Sequence, residues 1–189
     1  MPRLSAFEQV SLDGFFVDAS GDMSWAHRQE DPEWNEFTAG NASGEGALLF
    51  GRVTYEMMAG FWSTAAARES MPVVAEGMNR MPKLVFSRTL KSVSWRNTRL
   101  MKGELVEEVR KVKKAPGPDL VILGSGSIVS QLTQAGLIDQ LQMVVNPIVL
   151  GSGRTLFEGV HAKIPLKLMR SRTFGNGNVV LDYEPAERY

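Results

Sequence analysis

Apolar runs of strand length alternate with segments of helical spacing along most of the chain, which predicts an α/β domain. Leu4 to Val10 and Phe15 to Val17 read as extended, parted by the turn-prone Ser11-Leu12-Asp13-Gly14. Asp31-Pro32-Glu33-Trp34 has a capping acid, proline at the first helical position and an acid in the first turn, so a short helix should run toward Gly40. Ala47 to Phe50 is a buried strand that ends at Gly51, and Arg52 to Met58 follows with an apolar helical face. Lys83 to Phe86 repeats the strand and ends in Ser87-Arg88-Thr89, with a less helical stretch behind it. Glu104 to Lys114 predicts a charged helix that stops before Pro116-Gly117-Pro118. Leu120 to Leu123 is another buried strand, and Ser127 to Ala135 a helix closed by Gly136. Beyond it Leu141 to Leu150, Leu166 to Thr173 and Val179 to Tyr183 are extended, with Gly175-Asn176-Gly177-Asn178 as hairpin punctuation. The pattern predicts a mixed, mostly parallel sheet covered by helices on both faces and closed by an antiparallel hairpin.

A length of 189 residues is that of one domain, here residues 1–189, and can bury a sizeable core without disulfides or metals. With 21 Lys plus Arg against 21 Asp plus Glu the chain is neutral, which argues against a protein built to hold phosphate backbones. No nucleic-acid partner is expected. The absence of cysteine removes disulfide frameworks, thiolate zinc sites and cysteine nucleophiles together. Glu8 interrupts the apolar stretch that a secretory leader needs, and no window approaches the roughly 20 apolar residues of a membrane span. A soluble cytoplasmic protein without a membrane partner is the expectation.

Gly124-Ser125-Gly126-Ser127 joins a strand to a helix, where backbone N–H groups and the helix dipole attract phosphate. It departs from the dinucleotide fingerprint because Val129 stands at the third glycine, and a tight turn with a serine cap is the alternative. Two further strand ends carry cations, Gly51-Arg52 with Thr54 close behind, and Ser87-Arg88. Arginine forks suit a phosphate dianion, so three such loops meeting in one crevice suggest NADPH rather than NADH. Gly151-Ser152-Gly153-Arg154 could close over a ligand or only turn the chain. His27 and Glu30 have one-turn spacing but no second pair, and His161 is isolated, so no metal site is expected. Trp25, Trp34 and Trp62 could line a flat aromatic pocket or fill the core. No nucleophile elbow and no Walker loop occurs.

Ser11-Leu12-Asp13-Gly14-Phe15, Leu49 to Glu56, Val85 to Leu90, Ile122 to Ser127 and Asn146 to Gly153 resemble, in this order, the riboflavin-biosynthesis reductase domain family. The resemblance implies a dihydrofolate-reductase-like, three-layer α/β/α fold, NADPH across the carboxyl ends of the strands, and hydride transfer to a pyrimidine- or pteridine-like heterocycle. It further implies that Gly124, Ser125, Gly126 and Ser127 hold the pyrophosphate. Arg52, Ser87 and Arg88 would hold the adenosine 2′-phosphate end, Gly51 and Thr54 would also contact the cofactor, and Leu12, Asp13 and Gly14 would border the nicotinamide. Asp13, Asp31 and Glu33 are the candidate proton donors. Asp13 could instead form the turn before Gly14, and Asp31 and Glu33 could merely complement a helix dipole. A cofactor-binding module without catalysis and dihydrofolate reductase itself are the alternatives, and relatives of this kind are expected as homodimers. A cysteine-free chain cannot carry the zinc deaminase that accompanies the reductase in the bifunctional riboflavin enzyme.

Overall fold

A computed structural model describes residues 1–27, 31–42 and 44–186. The first strand, β1 (Leu4–Ser11), points Leu4, Ala6, Glu8 and Val10 to one side and Ser5, Phe7, Gln9 and Ser11 to the other, as the two-residue period of a strand requires. After β2 (Phe15–Asp18) come α1 (Pro32–Ala42), β3 (Ala47–Gly51), α2 (Arg52–Trp62), α3 (Ala65–Ser70), α4 (Pro72–Arg80), β4 (Lys83–Phe86) and β5 (Thr98–Met101). The second half holds α5 (Leu105–Lys114), β6 (Leu120–Leu123), α6 (Gly126–Gln134), β7 (Gln140–Asn146), β8 (Gly153–Thr155), β9 (Leu166–Thr173) and β10 (Val179–Pro185). Eight strands form one sheet in the order β5-β4-β3-β6-β1-β7-β10-β9, and β2 pairs with β8 apart from it. Every pairing from β5 to β7 is parallel, and β10 lies antiparallel to both β7 and β9. The mixed, mostly parallel sheet with its terminal hairpin is therefore present.

Two helical layers cover it. Leu4, Ala6, Leu49, Ile122 and Leu141 pack with Leu105 and Val109 of α5 and with Ile128, Val129 and Leu132 of α6. On the opposite face Leu48, Phe50 and Val85 meet Tyr55 of α2 and Met78 of α4, while Trp34 of α1 meets Val144, Phe174 and Val180. The helix leaving β6 thus lies on one face, and those leaving its neighbours β1 and β3 lie on the other. Such a reversal parts the loops and opens the carboxyl edge of a sheet to ligands.

The structure departs from the sequence reading in the following stretches. The extended run foreseen to Leu150 stops at Asn146, because Pro147 has no N–H for a ladder and Ile148 O instead accepts the Leu12 N–H at 2.8 Å. The segment behind Trp62 forms α3 and α4, which the mixed pattern of small and charged residues did not announce. The less helical stretch after Phe86 leads to the edge strand β5.

Candidate active site

The carboxyl ends of β4, β3, β6 and β1 are consecutive in the sheet, so three strand spacings, roughly 15 Å, span the loops that carry four of the five sequence motifs. These loops are joined in pairs. Beyond β6, Gly124 (φ 64°) and Ser125 (φ 74°) are both left-handed, a costly conformation for a serine. The turn aims the Ser125 hydroxyl at the β3–α2 loop, where it accepts the Gly51 N–H at 2.8 Å and donates to Thr54 Oγ1 at 2.8 Å. A Cβ on Gly124 would lie 3.0 Å from Thr54 Cγ2, and one on Gly126 would lie 3.2 Å from the Phe16 ring. The glycines are thus demanded by close packing as well as by any ligand.

This arrangement changes the parts assigned to the loop. The buried Ser125 side chain is a joint between loops and does not cap α6, so its hydroxyl is withdrawn from phosphate binding. The first turn of α6 keeps its polarity all the same. Ile128 and Val129 N–H close on Ser125 O, whereas the N–H groups of Gly126 and Ser127 precede the first intrahelical bonds. They are the residues able to hold a diphosphate, with Ser127 exposed at the rim.

The Ser11–Phe15 turn pairs with the loop after β7. Ser11 Oγ donates to Asp13 Oδ1 at 2.6 Å, and the Asp13 carboxylate accepts Leu150 N–H at 3.1 Å and Gly151 N–H at 2.8 Å. Gly14 makes the turn at φ 86°, and Leu12 is left 68% exposed above it. The Ser11 hydroxyl foremost, with the two backbone donors, holds the Asp13 carboxyl below its usual range, against a smaller effect of burial. A carboxylate so well supplied with donors favours its ionised form and clamps the two loops together.

The other two acids serve the structure as well. Asp31 Oδ1 accepts the Trp34 N–H at 2.8 Å as the cap of α1, and Glu33 is exposed at an ion pair of 3.4 Å with Arg172. Ser87 Oγ closes its own turn on Thr89 N–H and Leu90 N–H. The cations are free to serve. Arg52 makes an exposed pair with Glu56 at 3.0 Å, worth little and easily exchanged, and Arg88 is exposed without an ion pair among the described residues. Trp25 and Trp34 are buried and Trp62 Nε1 donates to Met58 Sδ, so all three are packing residues. Glu30 lies outside the described residues, and among those described no group of three or more His, Asp or Glu could hold a metal. A concavity of about 620 Å³ between α2, α4 and the loop before β5 contains none of the expected site residues.

Sequence reasoning overlooked Glu8. It is buried at the end of β1 that meets Gly124, at an inward position between Ala6 and Val10, and that break in an apolar alternation was the available signal.

Residues 2–180 match the family described as the RibD C-terminal domain. The chain belongs to that family. Among curated proteins it is 29% identical over 178 residues to the uncharacterised protein YyaP of Bacillus subtilis strain 168, covering 92% of this chain and 90% of that one. A putative riboflavin biosynthesis protein from Shewanella sp. PV-4 superposes with a TM-score of 0.74 at 21% identity, over 98% of this chain and 99% of the other. A diaminohydroxyphosphoribosylaminopyrimidine deaminase/5-amino-6-(5-phosphoribosylamino)uracil reductase from Thermotoga maritima superposes at 0.69 and 14% identity, over 98% of this chain and 57% of its own. Dihydrofolate reductase from Enterococcus faecalis complexed with NADP(H) gives 0.62 and 13% identity, with 98% and 97% covered. The fold of this RibD C-terminal domain is dihydrofolate-reductase-like. Among the described residues no helix is long and apolar enough to cross a membrane.

Proposed function

We propose that the protein is an NADPH-dependent reductase that delivers hydride to a pyrimidine- or pteridine-like heterocycle, in the manner of 5-amino-6-(5-phosphoribosylamino)uracil reductase. The carrying observation is the left-handed Gly124–Ser125 turn, which presents the Gly126 and Ser127 N–H groups at the open carboxyl edge around β6. Family membership and a dihydrofolate-reductase-like neighbour complexed with NADP(H) support the same cofactor. When bound, the cofactor supplies the hydride. The chain's own residues would fix it at both ends, with Gly126 and Ser127 on the diphosphate and Arg52 and Arg88, one and two strands away, on a 2′-phosphate. Leu12, Asp13 and Gly14 would wall the reacting ring and keep water from it.

The test is a fluorescence titration of the purified protein with NADPH and NADH. NADPH should bind more tightly, and Arg52→Ala or Arg88→Ala should weaken NADPH about tenfold while leaving NADH nearly unchanged. Equal losses for both cofactors would remove the 2′-phosphate assignment, and no binding of either would end the reading.

One observation favours a second reading, a cofactor-binding module without catalysis. Asp13, Asp31 and Glu33 are each engaged in a clamp, a cap or a surface pair, so none is presented as a proton donor. Steady NADPH oxidation with any compound of a pyrimidine, pteridine and flavin panel would dismiss it. Dihydrofolate reductase is disfavoured for the same reason, since Asp31 caps α1 and Glu33 pairs with Arg172; dihydrofolate-dependent oxidation would restore it.

A further inference from the structure

Glu8 is 1% exposed, and neither carboxyl oxygen has a hydrogen-bond partner among the described residues. A buried polar group left in that state calls for an account. Its place supplies one. In the register of β1 with β6, Phe7 lies opposite Leu123, so Glu8 is level with Gly124, where β6 ends and the left-handed turn begins. Met143 of β7 faces it from the other side. The carboxyl therefore lies beside the Gly124 backbone, two residues ahead of the Gly126 N–H.

We propose that Glu8 is a positioning residue for this turn: its uncharged carboxyl backs Gly124, and ionising it withdraws the turn's affinity for a diphosphate. This rests on the reading of the turn as the diphosphate site. An anion behind the turn would compete for the same N–H dipoles that face the ligand and would repel the ligand's charge through a poorly screened interior. Burial favours the uncharged form strongly, and the nearby Gly124 amide, though it makes no hydrogen bond to the carboxyl, opposes it with a smaller effect.

Among the described residues no neighbouring charge takes part in setting that state. The elements packed on this face of the sheet bring apolar side chains to it, Ile128 and Val129 from α6, Leu105 and Val109 from α5, and Val145 from β7. The titratable groups of the layer are elsewhere. Lys113 of α5 pairs with Asp139 at the amino end of the sheet, where Asp139 accepts the Leu4 N–H, and Tyr183 of β10 stands opposite Leu141. On β2 and β8, Asp18 is bound into its own turn by Ser20 and Asp22, and Arg154 is exposed.

The experiment is the affinity for NADPH across the pH range in which all three proteins stay folded, in the wild type, in Glu8→Gln and in Glu8→Met. Wild-type affinity should fall with rising pH, by up to about tenfold per pH unit once Glu8 ionises, because only the fraction with neutral Glu8 binds well. Glu8→Gln and Glu8→Met should lose that fall. The 2′-phosphate titrates alike in all three proteins, so the difference between them isolates Glu8. A flat wild-type profile overturns the inference without any variant, and the same slope in the wild type and either folded variant does so too. Absence of NADPH binding at every pH would overturn the functional reading together with this one, whereas binding with a flat profile overturns this one alone.

Discussion

Asp13 shows how much a single side chain's role depends on what surrounds it. From its neighbours in sequence it could be a turn former or an acid beside a reacting ring. Three donors from two different loops settle it as a fixed anion. Asp13→Asn removes the charge and one acceptor, so the loop through Leu150 and Gly151 should loosen and NADPH affinity should fall about three- to tenfold. The acid limb of any pH–rate profile should stay where it is, and its displacement would return Asp13 to the list of proton donors. Glu8 is the converse case. An acid first noticed only for interrupting an apolar run is buried within the sheet, and that burial pushes its pKa well up.

At the scale of elements, the turn between β6 and α6 has two separable functions. Its left-handed backbone sets the direction of α6, and the Ser125 hydroxyl ties it to Gly51 and Thr54 of the neighbouring loop. Ser125→Ala and Ser125→Gly both lose the tie, but only alanine keeps a Cβ in the left-handed region. Urea unfolding should therefore find Ser125→Ala less stable than Ser125→Gly by about 1 kcal/mol, and equal stabilities would show that the strain is relieved elsewhere. Both variants should bind NADPH more weakly than the wild type if the β3–α2 loop needs the tie to keep Arg52 in place.

Across the whole molecule, two buried ionisable groups impose opposite pH dependences on stability. Glu8 has a folded pKa above the 4.5 of an exposed glutamate, so the folded state holds the proton more tightly. Its contribution is complete below the unfolded value and is lost as pH rises toward the folded one, by about 1.4 kcal/mol per pH unit. Lys83, 1% exposed and donating to Met81 O, is pushed down to about 8 by burial first and by Arg96 second. There the unfolded chain binds the extra proton, so stability should rise between about pH 8 and 10.5. Urea midpoints over pH should show the decline, and Glu8→Gln should abolish it; an unchanged decline would mean that another group titrates. The sheet also ends on an unprotected edge. All eight residues of β9 are exposed, among them Leu166, Leu168 and Met169, which is the edge most open to pairing. We propose that a second copy covers it, and light scattering should return twice the 20.9 kDa chain mass, whereas the single mass would refute a homodimer. By itself the sequence determined the element types and the alternation of parallel strands with helices, because two-residue and helical periods, prolines and glycines act locally. It also identified the loops that meet at the carboxyl edge, because glycine and arginine placed just after a buried strand are local signals. It left β5, α3 and α4 unannounced, since short edge and connecting elements take their stability from tertiary contacts. Only the tertiary structure decided what Asp13 and Ser125 bond across loops, because a hydroxyl or carboxylate takes whichever partner the fold brings to it, whereas Asp31 caps its own helix and Ser87 closes its own turn through local bonds. The same holds for Glu8, whose pKa rises because folding removes water from a position that the sequence marks only as polar.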